Sequence, residues 1–147
     1  MSEIKPPIFL LLNGSFLEDI YLTVDDLEIN IEAYDVESGD YTSAYDAEGK
    51  LLSVDYDRTV EIWESKVFVS LKENEPKFKQ ELESELRIYL KGLNDEVADN
   101  VNSDLPTLVQ AIIPYAYKPP DPDANILWDF FKDMFLEIFK FFRKRKS

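Results

Sequence analysis

The period of the apolar residues changes once along this chain, at Glu73. Before it they come in short runs or alternate strictly with polar residues, which is how strands with a buried face read. After it they recur three and four apart, the spacing of one face of a helix. A chain that is strand-like first and helical afterwards predicts an α+β fold: an antiparallel, meander-like sheet from the N-terminal half, with the C-terminal helices packed on one face. At 147 residues, 45% of them apolar, a single domain over 1–147 can bury its own core.

The run 8–12 is a short buried-strand candidate that ends at the Asn13-Gly14 turn signal, and 16–24 is a second. Leu27, Ile29, Ile31 and Ala33 alternate with Glu28, Asn30 and Glu32, predicting a strand with one wet face. Tyr-Asp pairs at 34–35, 45–46 and 56–57 recur eleven apart, each closing a run and opening a turn. Further strands are expected over 41–45, 51–56, 59–63 and 66–71, so that 1–72 is mainly β.

Phe78, Leu82, Leu86, Tyr89, Leu90 and Leu93 share one face of a helix expected over 75–92, ended by Gly92, with Lys77–Glu81 and Glu83–Arg87 as four-apart pairs on the other side. A short helix over 104–113, capped by Ser103 or Asp104, stops before Pro114. A proline-rich connector at 115–123 leads to an aromatic amphipathic helix at 124–144.

Charge and composition narrow the function classes. Up to Leu71, sixteen Asp and Glu face four Lys and Arg, within a net charge of −14 for the chain. Phosphate contacts need cations, so no direct nucleic-acid binding is expected through this half. The chain has no His and no Cys, which removes thiol chemistry, disulfides, zinc ribbons and the commonest general base. With four glycines and no phosphate-binding loop, no cofactor is expected. Asp55, Asp57 and the acids of 99–104 supply oxygen ligands but lack the glycine turn and terminal glutamate of a calcium loop, so no metal is expected either. The apolar run after Pro6-Pro7 is too short for a secretory signal and no segment has spanning length, so a cytoplasmic location is expected.

These exclusions predict a non-enzymatic binding protein. Asp35, Glu37, Asp40, Asp46, Glu48, Asp55, Asp57 and Glu61 are expected on turns and wet strand faces, interspersed with Tyr34, Tyr45, Tyr56 and Trp63. Together they would form an acidic, aromatic surface for a basic protein partner. The plainer alternative is a solubilising acidic exterior with no partner. The aromatic helix also has two readings: its apolar side completes the core, or Trp128, Phe131, Phe135, Phe139 and Phe142, with Arg143, Lys144, Arg145 and Lys146, dock on a membrane surface or in a partner's groove. A carboxylate-dependent hydrolase is the third class, and would need two acids buried in a cleft.

Residues 45–54, YDAEGKLLSV, resemble one unit of the YD/RHS repeats of large toxin-carrying shells. Lys50 stands where that family has Arg, and a spacing of eleven is shorter than its period, so the likeness is one of hairpin chemistry. In size, acidity and α+β pattern the chain resembles bacterial toxin-immunity proteins. That resemblance implies an inhibitor that plugs the active site of a toxin or nuclease.

Overall fold

Ile8, Phe9, Leu10 and Leu11 are all buried although strand side chains alternate between faces, so strand β1 (Ile8–Leu12) must be covered on both sides. The computed structural model, which describes residues 3–118, shows that cover. Strands β1, β2 (Phe16–Tyr21), β3 (Ser43–Tyr45), β4 (Leu51–Tyr56) and β5 (Val67–Leu71) form one antiparallel sheet in the order β2-β1-β3-β4-β5. Helices α1 (Val24–Asn30) and α2 (Ala33–Glu37) lie on one face, over Ile8, Leu10, Leu52, Val54 and Val67. Helices α3 (Lys79–Gly92) and α4 (Leu105–Ile112) lie on the other, over Phe9, Leu11, Ile20 and Tyr45.

The α+β reading therefore holds, with α3 and α4, the C-terminal helices among the described residues, on one face as expected, and β3, β4 and β5 form the meander. The remainder is not a meander. The β1–β2 hairpin turns through Asn13 and Gly14, both at positive φ (53° and 70°), a twist that matches the strands. The chain then crosses through α1 and α2 to place β3 on the far side of β1.

Two expected strands are not formed. Residues 27–33 are helical up to Asn30: Thr23 Oγ1 accepts the Asp26 N–H at 3.1 Å, Asp25 and Asp26 occupy the first turn, and Leu27 and Ile31 are buried four apart. A two-residue period and a helical period share the i, i+4 positions, so the pattern fitted both, and only Ile29, left 81% exposed, breaks the strand reading. Residues 59–63 are a turn followed by a 3₁₀ segment, Ile62–Glu64, because Asp57 draws the Thr59 N–H and hydroxyl back on itself.

The later helices follow their apolar stripes. In α3, Leu82, Leu86 and Leu90 are fully buried; in α4, capped by Asp104 with Pro106 in its first turn, Leu105, Leu108, Val109 and Ile112 are buried. The left-handed residue after α3 is Asn94 (φ 58°) rather than Gly92. The expected four-apart pairs are also replaced: Lys77 pairs with Glu73 at 3.4 Å, and Arg87 donates to the carbonyls of Asn100 (2.9 Å) and Ser103, tying the loop before α4 to α3. Past a 3₁₀ turn at Ile113–Tyr115, Tyr117 bridges to Tyr21 beside β2. A helical glutamate meets each edge strand: Glu85 Oε2 accepts the Leu17 N–H of β2 at 3.3 Å, and Glu28 Oε2 the Val69 N–H of β5 at 2.8 Å.

Candidate functional site

Tyr45 and Asp46, expected on the partner-binding surface, are inside. Asp46 is fully buried. Its Oδ1 accepts the N–H groups of Glu48 and Lys50, both at 2.9 Å, and its Oδ2 accepts the Lys5 N–H at 3.1 Å and pairs with the Lys50 ammonium at 3.3 Å. Lys50, itself buried, also donates to the Glu3 carbonyl and lies 3.6 Å from the Glu48 carboxylate. Asp46 and Lys50 thus neutralise each other inside the β3–β4 turn, and of its two acids only the half-exposed Glu48 is left facing water. Gly49 completes it: its φ is +85°, and a Cβ there would sit 2.7 Å from the Lys79 nitrogen at the start of α3. The Tyr45 ring stacks on Phe78, with centroids 5.5 Å apart.

The third Tyr-Asp pair is engaged too. Asp55 pairs with Arg58 at 2.6 Å, and the guanidinium lies over the Tyr56 ring, 4.2 Å from its centroid. The Tyr56 N–H and then Arg58 hold the Asp55 carboxyl below the usual carboxylate range. Asp57 accepts the Thr59 hydroxyl (2.6 Å) and N–H (2.9 Å), which lower its pKa in the same way.

What remains of the expected surface is brought together at one corner. Ala33 and Val36 turn the inner side of α2 into the core, and Ile62 packs against the same cluster, so α2 and the 3₁₀ segment are neighbours. Outward from them lie the exposed acids Glu37, Glu61 and Glu64, which carry no ion pair among the described residues, with half-buried Tyr34 and Asp35 beside them; Asp40, also exposed, follows α2 at the point where its carbonyl accepts the Asn13 N–H of the β1–β2 turn. Trp63 stands between Glu61 and Glu64 and is 63% exposed, with Val60 exposed nearby. Within 3–118, twenty-five carboxylates face ten Lys and Arg.

One feature had no sequence signal. A cleft of about 490 Å³ opens between the β1–β2 turn and α3, lined by Gly14, Ser15, Tyr45, Gln80, Glu81, Ser84 and Glu85. Burial, and then the Glu81 and Glu85 carboxylates, push the Tyr45 hydroxyl pKa up. On the sequence Glu81 and Glu85 are wet-face helix residues, and the turn that completes the cleft is sixty-odd positions away.

Among the described residues no helix is long and apolar enough to cross a membrane, and no group of three acidic, His or Cys side chains is placed to hold a metal ion. The aromatic helix expected at 124–144, with Trp128 to Lys146, lies outside the described residues. No protein-family model, curated protein or solved structure matches the chain, so its function must be argued from its own residues.

Proposed function

We propose that this chain is a non-enzymatic acidic binding protein that holds a basic protein partner at the corner formed by α2 and residues 60–64, as an immunity or inhibitor protein would hold a toxin or nuclease. The observation that carries this reading is Trp63, a large aromatic left in water among carboxylates without ion pairs. Binding hot spots are enriched in Trp, and an anchor of this kind contributes about 2 kcal/mol or more when a partner desolvates it. The surrounding carboxylates speed the encounter with a cationic partner and disfavour acidic ones.

A hydrolase reading has one point of contact with the fold, since Glu81 and Glu85 line a cleft together. Glu81 is exposed and Glu85 half-buried, however, so the pair falls short of the two buried acids that reading requires.

The test is affinity capture from the source cell with the full chain as bait, alongside Trp63→Ala and a Glu61→Lys/Glu64→Lys double variant. A basic protein should be retained by the parent chain and released when salt rises from about 0.1 to about 1 M, which shortens the Debye length from ~10 to ~3 Å. Both variants should lose it while melting like the parent. A partner held equally by all three baits, or insensitive to salt, would overturn the assignment.

A further inference from the structure

We propose that the cleft between the β1–β2 turn and α3 is a binding site for an alkylammonium group, gripped by the carboxylates of Glu81 and Glu85 and the hydroxyl of Tyr45. It uses different residues from the Trp63 corner and stands or falls separately.

The cleft is built rather than merely acidic. Tyr45 is only 8% exposed, its ring fixed by the stack on Phe78, yet its hydroxyl has no hydrogen-bond partner among the described residues and opens onto the cleft. The phenol oxygen keeps contact with solvent at the cleft, so a ligand donor can reach it without displacing a protein partner. Glu81 and Glu85 are four apart on α3, so their side chains stand one turn apart on the same face. Glu85 is held in place through Oε2, which accepts the Leu17 N–H at 3.3 Å, leaving its other oxygen for a ligand. Ser15 and Ser84 add hydroxyls at the rim.

The chemistry selects the ligand. Two carboxylates and a phenol line the cleft, and an alkylammonium brings three N–H donors and a positive charge. A calcium-like ion takes six to eight oxygens, more than two carboxylates and a phenol provide. The cleft is open to solvent along its length, and its volume of about 490 Å³ leaves room for the alkyl stem beside the head. The same group is carried by a lysine of a partner protein and by a free polyamine.

The experiment is a backbone-amide NMR titration of the full chain with 1,5-diaminopentane, with Nα-acetyl-lysine methylamide, and with tetramethylammonium, which has the charge but no N–H. The first two should shift the amides of Gly14, Ser15, Glu81, Ser84 and Glu85 with dissociation constants on the order of 1 mM, and tetramethylammonium should not. Glu81→Gln should weaken binding about tenfold and Tyr45→Phe, which keeps the ring and its stack, about fivefold. Trp63→Ala should leave it unchanged. Tighter binding of the lysine derivative assigns the site to a partner's side chain; tighter binding of the diamine assigns it to a free polyamine. Equal shifts with tetramethylammonium, no shifts at these amides, or binding indifferent to both cleft variants would overturn the proposal.

Discussion

Replacing Asp46 by alanine removes the acceptor of three backbone N–H groups and the partner of a lysine whose side chain is 7% exposed. Breaking one half of a buried ion pair costs about 3–5 kcal/mol, because the other half keeps its desolvation without its partner. Lys50 retains the Glu3 carbonyl and the half-exposed Glu48 carboxylate, and Lys5 lies at the surface, so some of the loss is recovered and the lower part of that range is expected. Against a total stability of about 5–15 kcal/mol this is a large fraction. At ~2–4 °C per kcal/mol for a chain of this size, the melting midpoint should fall by roughly 6–15 °C. Asp46→Asn should cost nearly as much: the Oδ1 position still accepts from Glu48 and Lys50, but the charge that pairs with Lys50 is gone and the new amide N–H meets the Lys5 N–H and the Lys50 ammonium as a donor. Urea melts followed by circular dichroism give both numbers, with an unchanged slope showing that the denatured state is the same. A loss under ~1 kcal/mol for the alanine variant would mean that Asp46 is solvated and does not hold the β3–β4 turn together.

Gly49→Ala should destabilise by about 2–4 kcal/mol, since strain at positive φ adds to a Cβ 2.7 Å from the Lys79 backbone nitrogen. Gly39→Ala, at φ +89° with nothing within 4 Å, should cost only ~1–2 kcal/mol in the same melts, and equal losses would remove the packing part of the account. Trp63→Ala should leave the melting midpoint within about 2 °C of the parent, because its ring is mostly in water; a larger fall would make it a core residue. The Thr107 hydroxyl and N–H hold the Asp104 carboxyl below its ordinary value, so its cap supports α4 above pH ~3.9 and is lost as pH falls through the lower folded value. An NMR titration of the Thr107 amide should therefore show a midpoint below ~3.9 that disappears in Asp104→Asn; a midpoint at or above that value would contradict the cap.

The helices at 79–92 and 105–112 were legible because each has an apolar stripe of one period, and α4 also has its Asp104 cap and Pro106 start. Residues 24–37 were not, because Leu27 and Ile31 satisfy strand and helix alike over so short a span, and the choice fell to the sheet face that needed cover. The Tyr-Asp spacing correctly marked turns at 45–46 and 56–57, failed at 34–35, which lies inside α2, and said nothing of the solvation of the carboxylates. An aspartate at the first position of a turn is an ordinary acceptor for turn N–H groups, and whether it is also buried depends on what packs over the turn.

By itself the sequence determined the class of fold, the excess of carboxylates and the lack of the side chains that most reactive centres need, since these follow from local period and composition. The tertiary structure decided which carboxylates remain free to act. It buried Asp46 against Lys50, set Arg58 on Asp55 and Tyr56, left Trp63 standing among the acids beside α2, and closed the Asn13-Gly14 turn toward Glu81 and Glu85 to make a cleft around Tyr45. A charge belongs to a residue, but its solvation and its partners are set by segments far away in the chain, and those fix what it can bind.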